Sequence, residues 1–107
     1  MRFYPLEKLI NLHDGYRRVF KIDSHALLLL QHDGALHLIQ ATCPHRAQGL
    51  DEAVIQGDQL ECPLHGYRFS LRDGTVLRAS EEPCRGLKVY PLEYEGNEVG
   101  VLLDERD

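Results

Sequence analysis

Two short segments, Cys43-Pro44-His45 and Cys62-Pro63-Leu64-His65-Gly66, constrain this 107-residue chain more than anything else in it. Sixteen residues separate them, giving the pattern C-P-H-x16-C-P-L-H-G. Each segment offers one thiol and one imidazole, side chains suited to soft and borderline metals. Proline beside each cysteine fixes φ and removes a backbone donor, which stiffens a loop at a turn. Gly66 permits a backbone angle or close approach that other residues resist. Either half alone is a weak signal. Both halves together, with matching prolines, point to two loops folded tightly over a metal centre.

The rest of the chain must supply a scaffold for those loops. Its length suits one domain spanning residues 1–107. Hydrophobic residues at 43% and charged residues at 27% are ordinary for a globular protein and exclude disordered, collagen-like and coiled-coil readings. A formal net charge of −5 argues against nucleic-acid binding by bulk phosphate attraction. The longest apolar run, Ala26 to Leu30, is far short of the about 20 residues a bilayer span needs. The opening MRFYPLEKLI has no signal-peptide core, so a soluble, cytoplasmic protein is expected. Cys43, Cys62 and Cys84 cannot all pair with one another, and in a reducing compartment thiols serve more often as ligands or core residues than as disulfides.

Strand-like runs dominate the pattern: Tyr16–Ile22, His25–Gln31, Ala35–Ala41, Gln59–Cys62, Tyr67–Leu71, Leu87–Tyr94 and Glu98–Leu103. Turn signals stand at His32-Asp33-Gly34, Asp73-Gly74 and Glu95-Gly96-Asn97. The leucines at 27–30 are flanked too closely by Ser24 and Asp33-Gly34 for a normal helix, so they predict a central strand buried on both faces. Only Pro5–Leu12 and Gln48–Val54 are expected to form a helical turn or short helix. The fold class is therefore all-β, a small sandwich or barrel.

The ligand pattern resembles that of the Rieske family of [2Fe–2S] proteins, C-x-H, an interval of similar length, then C-x-x-H. The likeness extends through Asp33-Gly34, Gln56-Gly57-Asp58, Cys62-Pro63-Leu64-His65-Gly66-Tyr67-Arg68-Phe69 and Asp73-Gly74, and so covers most of the chain. It implies an antiparallel β-sandwich base with a small cluster-binding subdomain inserted at about residues 41–72. It also implies one [2Fe–2S] cluster, with Cys43 and Cys62 on the inner iron and His45 and His65 on the outer. Neutral imidazoles in place of two thiolates make such a cluster less negative, which lifts its potential above the about −400 mV of plant-type ferredoxins.

The resemblance further implies where in that range the centre lies. High-potential members carry an extra cysteine in each ligand loop and hydroxyl donors just after the His-Gly step. Here Arg46-Ala47-Gln48 and Leu64 hold no cysteine, and the donor places are taken by Tyr67 and Phe69. A low-potential, soluble centre near about −150 mV is expected. Its implied role is one-electron transfer from a flavin-dependent reductase to an oxygenase or other terminal enzyme, as a carrier and not an enzyme. Two alternatives use the same residues: a small Rieske-fold subunit of a larger nitrite-reductase-type enzyme, and a structural zinc module on the Cys2His2 set.

Other residues carry less. Cys84 reads as a small, partly buried loop residue, with a redox-sensitive thiol as the sharper alternative. His13, His25, His32 and His37 share no spacing that suggests a second site, and no two-histidine-one-carboxylate iron site is expected. Arg46 and Arg68 flank the histidines, while acids gather at Asp51-Glu52, Glu81-Glu82 and Asp104–Asp107, a distribution that could steer a redox partner or form ordinary solvated faces.

Overall fold

The computed structural model describes residues 1–44, 48–63, 66–79 and 83–104. Its strands are β1 (Arg2–Lys8), β2 (Arg17–Ile22), β3 (His25–His32), β4 (Ala35–Gln40), β5 (Val54–Gln56), β6 (Gln59–Glu61), β7 (Arg68–Ser70), β8 (Val76–Arg78), β9 (Glu93–Glu95) and β10 (Glu98–Leu103). They form three antiparallel sheets, ordered β1-β10-β9, β2-β3-β4 and β5-β6-β7-β8. The all-β expectation holds, and among the described residues no helix is long and apolar enough to cross a membrane.

Alternation along β3 sets the layers. Leu27 and Leu29 join Leu38 from β4 and Val99, Val101 and Leu103 from β10 in one apolar group, which packs the first two sheets into a sandwich. Leu28 and Leu30 point the other way, into a second group with Ile39, Leu50, Leu60, Phe69 and Leu71, which carries the small four-stranded sheet. All four leucines are fully buried, as a central strand covered on both faces requires. The β3–β4 hairpin closes through Asp33 and Gly34, both at positive φ (50° and 78°), the backbone that a two-residue turn between twisted strands demands.

Three expectations fail in whole or in part for identifiable reasons. Within Pro5–Leu12 the helical turn is confined to Leu9–Asn11, a 3-10 turn, and the residues before it belong to β1, which runs through Lys8 because Tyr4 and Leu6 alternate into the sandwich core. Gln48–Val54 is not helical, since Gly49 bridges to Thr42 and Val54 already starts β5. Leu87–Tyr94 is not one strand. Residues 88–90 pair with β4, through Gln40 N–H to Lys88 O (2.9 Å) and Tyr90 N–H to Leu38 O (2.8 Å), whereas Glu93–Glu95 pairs with β10. Pro91 lies between and cannot donate to either ladder, so the chain changes sheets there. Strands β5 and β8 were not anticipated, and β8 carries the small sheet past residue 72.

Two contacts generate predictions. At Gly74 (φ +79°) an added Cβ would overlap the Leu87 carbonyl, and Leu87 N–H donates to Gly74 O at 2.8 Å. Gly74→Ala should therefore cost about 3 kcal/mol, combining left-handed backbone strain with a backbone clash, read as a lower denaturation midpoint. Glu7 accepts from Asn11 Nδ2 (3.0 Å), Tyr16 Oη (2.8 Å) and Lys8 N–H (2.9 Å), with Arg18 at 3.7 Å. These donors, Asn11 foremost, hold its carboxyl down at about 2, against an ordinary 4.5. A depressed carboxylate stabilises the fold above its unfolded value and loses that contribution as pH falls through the folded one. The stability difference between wild type and Glu7→Gln, about 1 kcal/mol after solvent screening, should thus disappear between pH 4.5 and about 2 in acid denaturation.

Candidate metal centre

Strand β4 leads directly into the first loop of the pattern, and β6 into the second. Each loop is pinched at its base by its own cysteine. Cys43 N–H donates to Gln48 O at 2.8 Å and Cys62 N–H to Tyr67 O at 2.7 Å, in both cases to the carbonyl five residues on. The first loop is held further by the Thr42–Gly49 bridge and by Leu50 N–H to Ala41 O at 2.9 Å. In the second, Gly66 takes φ +69°, so of the two roles open to it, an unusual backbone angle or a close approach, the structure shows the first. Pro44 and Pro63 follow the cysteines and bring no backbone donor at those two positions.

The two pinches bring Cys43 (3% exposed) and Cys62 (1% exposed) into one apolar group. Leu50, Ala53, Tyr67, Phe69, Leu71 and Leu87 share it, resting on Leu28 and Leu30 of β3. Tyr67 and Phe69 are both fully buried. Two thiols at the bases of opposed loops, in a dry setting, form a donor set that fits one iron of a sulfide-bridged pair, which takes cysteine thiolates. His45, Arg46, Ala47, Leu64 and His65 lie outside the described residues, as do Glu81 and Glu82.

A third segment borders this group. Cys84 is half-buried and packs against it beside Val89. Burial pushes its thiol up, the neighbouring Cys43 thiol adds to the effect, and Arg85 opposes it. That agrees with a partly buried loop cysteine better than with a reactive thiol, which needs a lowered pKa. Segment 85–88 is fastened to β4 through Gln40, whose side chain is buried and fully engaged. Across the group, Arg17 of β2 donates to Ala53 O (2.6 Å) and Asp51 O (3.2 Å), tying the base sheet to the stretch between the two loops. Neither Gln40 nor Arg17 stands out in the sequence, because each acts on residues far along the chain. The only local signal is a glutamine at the end of the apolar run Leu36–Ala41.

The charges beside the loops are partly committed. Arg68 Nε donates to Glu61 Oε1 at 2.9 Å across the β6–β7 pair, and Arg72 Nε to Asp58 Oδ2 at 2.6 Å. Arg68 is thus an internal cross-strand partner of the small sheet. His37 is held by its neighbour strands rather than by a second site: burial lowers its pKa, and a hydrogen bond to the Leu71 backbone works against that. Among the described residues no group of three or more potential metal ligands occurs.

Known proteins resemble this chain in sequence and fold. The family model for the Rieske [2Fe–2S] domain matches residues 2–91. The ferredoxin subunit of biphenyl dioxygenase from a Pseudomonas species is 38% identical over 80 residues, covering 74% of this chain and 72% of that protein. The ferredoxin component of the alkene monooxygenase system of Xanthobacter autotrophicus is 33% identical over 90 residues, covering 83% of this chain and 71% of its own. Among solved structures, a chain from the complex of reduced oxygenase and oxidized ferredoxin in carbazole 1,9a-dioxygenase superposes with a TM-score of 0.78 at 23% identity, covering 92% of this chain and all of that one. The last likeness bears on the fold alone. Family model, relatives and paired buried thiols agree, and the chain belongs to the Rieske [2Fe–2S] family.

Proposed function

We propose that Cys43 and Cys62 hold one iron of a Rieske [2Fe–2S] cluster through their sulfurs, and that His45 and His65 hold the other through ring nitrogens. The chain is a one-electron carrier with one such cluster and is not itself an enzyme. Its partners are a flavin-dependent reductase as donor and a terminal oxygenase as acceptor, and its compartment is the cytoplasm. The observation that carries this reading is the burial of two thiols in one apolar group at the bases of two pinched loops. The relatives named above supply the direction of transfer, since they serve as ferredoxins of oxygenase systems.

When bound, the cluster supplies a reversible one-electron couple. The chain's own residues do the rest. Cys43 and Cys62 would bind as thiolates in a setting from which Leu50, Phe69 and Leu87 exclude water. Pinched loops with prolines at their bases hold the donors in place through both oxidation levels, which keeps the geometric cost of transfer small. Phe69 brings no hydroxyl to the position where high-potential relatives carry a donor, so nothing there favours the more negative, reduced state. That supports a low-potential centre.

Two outcomes are expected. Purified protein should contain two iron and two acid-labile sulfide per chain, with a spectrum bleached by dithionite. Cys43→Ala or Cys62→Ala should abolish both, and His45→Cys or His65→Cys should shift the spectrum toward the four-cysteine type or prevent assembly. A single zinc ion and no sulfide would overturn the reading. In a redox titration the midpoint should lie near about −150 mV; a value above zero would remove the low-potential assignment.

A further inference from the structure

We propose that Gln40 is a positioning residue for the cluster site: its amide fastens segment 85–88 to the end of β4 that leads into Cys43, and thereby fixes the Arg85 cation beside the thiolate end of the site. The inference rests on the ligand role given above to Cys43.

Gln40 is the one buried polar or charged residue among those described, 8% exposed. Its Oε1 accepts from Lys88 N–H at 2.7 Å and from Arg85 Nη1 at 3.1 Å, so both lone pairs are used. Its Nε2 donates to Thr42 O at 2.6 Å, one residue before Cys43. Its backbone N–H donates to Lys88 O at 2.9 Å. A carboxylate would turn an oxygen toward the Thr42 carbonyl, and an apolar side chain would leave the Lys88 N–H, the Thr42 carbonyl and the Arg85 guanidinium without this partner. Only a primary amide of this reach satisfies all of them at once.

The fastening has two consequences. Segment 85–88 adjoins Cys84, which packs against the apolar group containing Cys43, so releasing the segment loosens one wall of the site. Arg85 itself is exposed, yet its Nη1 donates to both Gln40 Oε1 (3.1 Å) and Gly86 O (3.3 Å). A cation held there favours the site after it gains an electron, because the added charge is negative. The amide therefore couples a surface charge to the midpoint potential.

The test uses the cluster-loaded protein and three variants: Gln40→Met, Arg85→Gln and the double substitution. Both single variants should lower the midpoint potential, and the double should fall no further than the larger single, because either change releases the same charge. Gln40→Met should also raise the iodoacetamide alkylation rate of Cys84, followed by peptide mass spectrometry, by about tenfold through local opening. Arg85→Gln keeps the Lys88 and Thr42 bonds and should raise it less. Additive shifts in potential, or single variants at the wild-type potential with unchanged Cys84 labelling, would overturn the proposal. Should Gln40→Met fail to load, the exposed position decides: Arg85→Lys should keep the wild-type potential and Arg85→Gln lose it, and equal behaviour of the two rejects the role of the charge. A wild-type protein without iron and labile sulfide would instead remove the reading of the site itself.

Discussion

The burial of β3 on both of its faces is the constraint on which the other elements depend. Leu27 and Leu29 close the sandwich against β10, while Leu28 and Leu30 form the floor under Cys43 and Cys62. Each fully buried leucine contributes on the order of 2 kcal/mol of transfer free energy before ordering costs. The partition between two cores is thus also the seat of the ligand loops. A change that tilts this strand to relieve one core must disturb the other, so the loops inherit the rigidity of the whole base and not only their own.

On that floor, three segments distant in sequence converge with different kinds of attachment. Loops 43–48 and 62–67 are pinned by their own backbone bonds, which depend on local turn geometry. Segment 85–90 has no such self-closure and is held by contacts with other parts of the chain. It is clamped at one end by the backbone-to-backbone fit of Gly74 against Leu87 and along its length by Gln40 and β4. Arg17 performs the matching task on the opposite side, capping the carbonyls of Asp51 and Ala53. Apolar burial brings the pieces together without direction, and these few polar bonds set their register.

That division explains what could be read from residues alone. The thiol–imidazole pattern and the leucine run are legible because their meaning lies in residue type and in spacing along the chain. The Asp33-Gly34 and Gly96-Asn97 turns are legible because left-handed backbone demands particular residues. The stretches at 5–12 and 48–54 mislead because apolar spacing over so few residues suits a strand edge or a turn as well as a helix. Leu87–Tyr94 has the composition of one strand, and only Pro91 hints that its two halves serve different sheets. Gln40 and Arg17 cannot be found by any local rule, since their partners lie 45–48 and 34–36 residues away.

The electrostatic character of the site follows from the same packing. Apolar walls of Leu50, Phe69, Leu71 and Leu87 lower the local dielectric and penalise whichever oxidation level carries more charge. With two thiolates on the proposed inner iron, that level is the reduced one, so the walls draw the potential down. Two features would pull the other way: the neutral imidazoles proposed at His45 and His65 in place of thiolates, and the positive charge that Gln40 is proposed to position. Arg68 and Arg72 are engaged with Glu61 and Asp58 of the small sheet, which blunts their reach. Arg85 is tied instead to a neutral amide and one backbone carbonyl, which orient a cation without cancelling it. With the proposed cluster in place, dry walls would thus draw its potential down, while Arg85, and across the group Arg17 on the carbonyls of Asp51 and Ala53, would keep positive charge that no carboxylate cancels.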